Sequence, residues 1–174
     1  MGKDDIREKA PLEIVRLFPD YAHTVVWLDQ PIRYRETGLT SGLVDDLDAW
    51  EQSYYDSLTD DIEWVSLAAA RAYTVEGTRL AHRVAAEVGP RFVVEFASYE
   101  DAADTVRVRS EHPTENPEAE KAFTKLFDEI DAEDREAAKV RSSPDGETIA
   151  YAPMSNTVFN PNSNLQTEAG PDTE

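Results

Sequence analysis

The chain has 174 residues, enough for one domain of ordinary size with a real core. It contains no cysteine, which excludes disulfides, thiolate chemistry and cysteine-ligated metal. A formal net charge of −19 disfavours nucleic acid and anionic membrane as partners, leaving a basic protein partner or solubility alone as explanations of the acidity.

The amino terminus, MGKDDIREKAP, carries charges where a signal peptide needs an apolar run. No later segment is long and apolar enough to span a bilayer, so the cytoplasm is the expected compartment and residues 1–12 read as a flexible lead. EIVRLF (Glu13 to Phe18), closed by Pro19, reads as a strand, and so does TVVWL (Thr24 to Leu28), with PDYAH as a turn between them. PIRYRETGLTSG reads as a loop leading to a long helix capped by Thr40 or Ser41, with Asp45 and Asp46 near its positive end.

At 100° per residue, Leu43, Leu47, Trp50, Tyr54 and Leu58 fall on one arc of that helix, and Asp45, Asp48, Gln52 and Asp56 fall on the opposite arc. A second helix fits Leu67 to Val88, with Ala69, Tyr73, Leu80, Val84 and Val88 as its apolar stripe. Gly77 interrupts this helix at a cost of about 1 kcal/mol relative to Ala, which close approach of a bulky neighbour such as Trp50 would explain. Gly89 and Pro90 form a stop signal, and RFVVEF follows as a strand with Phe92, Val94 and Phe96 on one side.

The fold expected is α+β: two long helices packed on a small sheet in the order β-β-α-α-β, over a core domain of residues 13–98. A β-α-β extension is expected over 99–154. DTVRVRS supplies its edge strand, and a helix starts at cap Asn116 and Pro117 with Ala119, Phe123, Leu126, Phe127 and Ile130 as its stripe. SSPDGETIAYAPM reads as a turn and a short strand, and residues 155–174 as a disordered acidic tail.

Three pieces in order, VRLFPDYAHTVVWL, SGLVDDLDAWEQSYYDSLTDD and EGTRLAHRVAAEVGPRFVVEF, resemble a group of small, acidic, largely uncharacterised actinobacterial proteins. The resemblance covers about Ile14 to Phe96. It implies a role like that of an immunity or toxin-neutralising protein, and it carries over no catalytic residue.

The residues themselves offer little catalytic chemistry. His23, His82 and His112 show no paired spacing, and SLTDDIEW lacks the alternating oxygen ligands and central glycine of a calcium loop. G-x-S-x-G, S-x-x-K and P-loop patterns are missing, so no catalytic, metal or cofactor-binding residue is assigned. Charge distribution is more informative. From Glu36 through Ala70 there is no lysine or arginine, while Arg71, Arg79 and Arg83 follow on the second helix, placed to pair with acids of the first.

The expected function is therefore non-enzymatic: an immunity-type or inhibitory module engaging a basic protein. Its contact residues are Asp45, Asp48, Gln52, Tyr55, Asp56, Asp60, Asp61 and Glu63. Tyr55 falls between the helix's two faces, and Trp64 lies past its end with burial expected. Two alternatives stay open: a small carboxylate enzyme with a pocket joining Asp60, Asp61 or Glu63 to His23, or an accessory protein whose acidity serves only solubility. Oligomeric state does not follow from the sequence.

Overall fold

The structure, a computed structural model, describes residues 12–141 and the strand segments 150–152 and 157–159. The chain divides into two compact units, 1–127 and 128–174. Most of the lead expected at 1–12, the Pro-Asp-Gly turn and the tail beyond 159 lie outside the described residues.

The first unit holds one four-stranded sheet. Its strands are β1 (Ile14–Leu17), β2 (Val26–Trp27), β3 (Val93–Phe96) and β4 (Val106–Val108), in spatial order β2-β1-β3-β4. Strand β1 pairs antiparallel with β2, as the PDYAH turn implies, and parallel with β3. A parallel pair needs a long crossover, and the helices between β1 and β3 provide it. Strand β4 closes the edge antiparallel to β3, so this element of the expected extension belongs to the same sheet as the core strands.

Alternation along the strands makes one face dry and the other charged. Val15, Leu17, Phe92, Val94 and Phe96 are buried. On the wet face Arg16, Glu95 and Arg107 stand side by side across three strands, and Glu95 accepts from both arginines at 3.3 and 2.6 Å. Opposite charges directly across a sheet add a few tenths of a kcal/mol each and hold register.

Three helices follow β2. The stretch expected as a loop contains a four-residue helix, α1 (Tyr34–Thr37), ended by Gly38 at φ +64. That left-handed turn suits glycine, and a Cβ at Gly38 would lie 2.7 Å from the carbonyl oxygen of Glu118. Helix α2 (Ser41–Asp56) buries Leu43, Leu47 and Trp50. Helix α3 (Leu67–Val88) buries Ala70, Tyr73, Gly77, Leu80, Val84 and Val88, with Ala70 rather than Ala69 as the first buried position. Ser66 caps α3 by accepting from the Ala69 N–H at 3.1 Å.

The close approach inferred at Gly77 is present. A Cβ there would meet Phe96 Cζ at 2.5 Å and Trp50 Cζ2 at 2.6 Å. Trp50 stacks on Tyr73 with centroids 4.9 Å apart and donates its indole N–H to the Tyr73 carbonyl at 3.1 Å.

The cap of α2 departs from expectation. Thr40 occupies the cap position, yet its hydroxyl donates to the buried carboxylate of Glu87 instead of accepting from the helix. Glu87 also accepts from the Thr40 N–H and from the Asn116 side chain, each at 2.9 Å. A buried carboxylate needs donors more than a helix end exposed to water does, so the hydroxyl goes to it. Asp45 and Asp46 also lie beyond the first turn of α2, so the dipole does not explain them.

Helix α4 (Pro117–Arg141) begins as expected, with Asn116 Oδ1 accepting from the Ala119 N–H at 3.3 Å. Ala119 and Phe123 are buried, and Phe92 lies 6.0 Å from Phe123 and 5.5 Å from Phe127. In the second unit, residues 131–141 of α4 are exposed. Strands β5 (Ala150–Ala152) and β6 (Thr157–Phe159) pair antiparallel there, with β6 inside the stretch expected to lack structure. Among the described residues no helix is long and apolar enough to cross a membrane.

Candidate partner-binding face

Burying Leu43, Leu47 and Trp50 turns the opposite arc of α2 outward. Asp45, Asp48, Gln52 and Asp56 are all exposed there, and Gln52 donates to Asp56 at 2.9 Å. Asp46, in the same acidic run, faces α3 instead. It binds Arg83 and lies 3.6 Å from Arg79. Chiefly through the hydrogen bond from Arg83, its carboxyl is held below the usual carboxylate range. The sequence inference that α3 arginines pair with α2 acids therefore holds for Asp46. Among the described residues, Asp45, Asp48, Asp56, Asp60, Asp61 and Glu63 form no ion pair.

Beside this arc is an open cleft of about 810 Å³. Asp48, Ala49, Glu51, Gln52 and Tyr55 of α2 form one wall, and Tyr21, His23 and Tyr34 line the rest. Glu51 is half-buried and has no hydrogen bond or ion pair among the described residues. Burial raises the pKa of its carboxyl, Asp48 raises it further, and His23 opposes the shift. Tyr34 accepts from the Val25 N–H at 3.2 Å, and burial pushes its phenol well up. The carboxylates that share a pocket with His23 are thus Asp48 and Glu51; Asp60, Asp61 and Glu63 do not line this cleft.

Tyr55 is half-buried between the two faces and links the cleft to an aromatic cluster. Its hydroxyl accepts from the Tyr21 N–H at 2.9 Å, and the two rings lie 5.4 Å apart. Tyr54 contacts Trp64, Tyr73 and Tyr99 at 5.6, 5.3 and 5.4 Å. Trp64 is half-buried, and its indole N–H donates to the Tyr99 carbonyl at 3.2 Å. Beneath them the buried Tyr73 hydroxyl has no hydrogen-bond partner among the described residues, and burial drives its pKa upward.

Asp60, Asp61 and Glu63 sit on the α2–α3 loop. Leu58 and Trp64 bridge across its base, and Thr59 organises the tip. The Thr59 N–H donates to the Glu63 carbonyl at 2.8 Å, while its own carbonyl accepts from the Ile62 N–H at 2.9 Å. This geometry places Ile62 at φ +63 with 68 % of its surface exposed. A β-branched residue in the left-handed region is strained by about 1–3 kcal/mol. Tyr21, at φ +39, and His23, at φ +55, share that backbone region in the β1–β2 turn.

The structure thus gathers Asp48, Gln52 and Tyr55 on the cleft, with Asp45 and Asp56 on the same helix face, and sets Asp60, Asp61 and Glu63 on a separate tip. Tyr21, Tyr34, Glu51 and Ile62 were missed as site residues. Glu51 was visible as part of the unbroken acidic run, and Ile62 as the apolar residue among acids in TDDIE.

A family model for Serratia CdiI immunity protein-like sequences matches residues 13–99, half of the chain. The chain belongs to this Serratia CdiI immunity protein-like family. No curated protein matches the chain. The family span runs from β1 through β3 and includes every residue of the acidic face, the cleft and the aromatic cluster. It agrees closely with the Ile14 to Phe96 stretch singled out by its motifs.

Proposed function

We propose that the chain is an inhibitory immunity protein that neutralises a toxin by binding it, and that the toxin presents a basic surface to this acidic face. Family membership over the span that builds the face carries the reading. Asp45, Asp48 and Asp56 on α2, together with Asp60, Asp61 and Glu63 on the separate loop tip, form the electrostatic part of the contact. Unpaired surface carboxylates speed the capture of a cationic partner and disfavour acidic ones. Gln52 and Tyr55 supply hydrogen bonding and aromatic area beside the charges. The binding is stoichiometric and occurs in the cytoplasm.

Affinity capture of the tagged protein from its native lysate, at low and at molar salt, tests this reading. A single stoichiometric basic partner that is lost at high salt is the expected result. No partner at either salt would reduce the acidity to solvation and overturn the proposal.

A further inference from the structure

Ile62 combines two costs that the fold does not repay. Its side chain is 68 % exposed, and its backbone lies at φ +63, where glycine or asparagine fits better than a β-branched residue. Val65 and Leu67, within the next five residues, are 56 % and 87 % exposed. The Thr59–Glu63 tip that carries Ile62 is nevertheless well organised. The Thr59 N–H and carbonyl bond to Glu63 and Ile62, the Val65 N–H donates to the Ser57 carbonyl at 2.9 Å, and the Trp64 indole fastens the base to Tyr99. An ordered loop that holds an apolar side chain outward loses little freedom when that side chain is buried by a partner.

We infer that Ile62 is the apolar anchor of the toxin contact, inserting into an apolar recess rimmed by basic residues on the toxin. The inference rests on the immunity reading and deepens it. Asp60, Asp61 and Glu63 surround the tip and form no ion pair among the described residues, so the complementary surface is a cationic rim around an apolar pocket. Buried apolar anchors surrounded by polar contacts carry most of the energy of such interfaces, whereas rim charges chiefly set the association rate.

The test uses toxin recovered from the native complex with the tagged wild-type protein, then titrated against purified variants. Ile62→Asn relieves the backbone strain and removes the anchor. It is expected to unfold at the same or higher urea concentration while weakening toxin binding at least about tenfold, mostly through faster dissociation. Ile62→Val, which keeps a β-branched apolar side chain, stays within a few-fold of wild type, as does Val75→Ala at an exposed apolar position outside the loop. Unchanged affinity of Ile62→Asn would overturn the anchor and leave the immunity reading standing. Unfolding of Ile62→Asn at lower urea would make Ile62 a structural residue, which also overturns it. Failure of the wild-type protein to capture any toxin would overturn the immunity reading and the anchor with it.

Discussion

Replacing Gly77 by alanine sets two effects of known size against each other. Helix propensity favours alanine by about 1 kcal/mol in a helix interior. The added methyl, however, would lie 2.5 Å from Phe96 Cζ and 2.6 Å from Trp50 Cζ2, about 1 Å inside ordinary contact. Neither ring can retreat easily. Phe96 is fully buried, and Trp50 is held by its stack on Tyr73 and its hydrogen bond to the Tyr73 carbonyl. Overpacking of this kind costs about 1–3 kcal/mol, and a clash with two confined rings belongs at or above the upper end, for a net loss of about 2 kcal/mol. Urea unfolding followed by tryptophan fluorescence reads this as a midpoint about 1 M lower, taking a slope near 2 kcal/mol/M. Gly42→Ala on α2 is the control, since its Cβ would meet nothing within 4 Å, and it should leave stability unchanged or slightly raised. A Gly77→Ala protein as stable as wild type would refute the packing argument.

Glu87→Gln can keep accepting from the Thr40 N–H and Asn116 only by turning its own amide N–H toward the Thr40 hydroxyl, which must then accept; with charge-assisted bonds replaced by neutral ones, urea unfolding should show a loss of about 1–2 kcal/mol. Tyr73→Phe removes a buried hydroxyl without a partner among the described residues, and thermal unfolding should show a gain of about 1 kcal/mol. Glu51 has its carboxyl pKa raised by folding, so the unfolded chain loses this proton at lower pH than the native one. Stability from this group is therefore greatest below the unfolded value and declines as pH rises through the folded value. Glu51→Gln should accordingly stabilise the protein at neutral pH and lose that advantage in acid, below the unfolded carboxylate range, measured by urea midpoints across pH. Asp46 has the opposite sign. Its pKa is depressed, so its contribution is present above the unfolded carboxylate range and fades as pH falls through the folded value; Asp46→Asn should matter least in acid.

The helices were legible because periodicity is local. The stripe of α3 from Tyr73 onward, the burial of Leu43, Leu47 and Trp50, the approach of Trp50 to Gly77 and the Asn116 cap all follow from spacing and residue type. Sheet order was not legible. The parallel pairing of β1 with β3 is a contact across 79 positions, and alternation in each strand says which face is dry without naming the neighbour. Four residues carry no period, so the short α1 reads as a loop in the sequence. Thr40 looked like an ordinary cap because the competing acceptor, Glu87, is 47 residues away.

The acidic face was readable as charge on one arc of α2, and so was the pairing of α3 arginines with α2 acids, but not that Asp46 is the acid they take. The cleft was not, since Tyr21, His23 and Tyr34 reach α2 only through the fold. Nor was the strain at Ile62, which is a property of the φ angle that the Thr59 hydrogen bonds impose.

The most direct test of the account is the affinity of the captured toxin for the wild-type protein and for the combined Asp45→Asn, Asp48→Asn and Asp56→Asn variant, measured by titration at low and high salt. These exposed carboxylates form no ion pair among the described residues, so the variant should unfold at the wild-type urea concentration. The account predicts weaker binding, about tenfold or more at low salt, with most of the difference in association rate and most of it gone at high salt. Equal affinity at low salt, with folding intact, would contradict it.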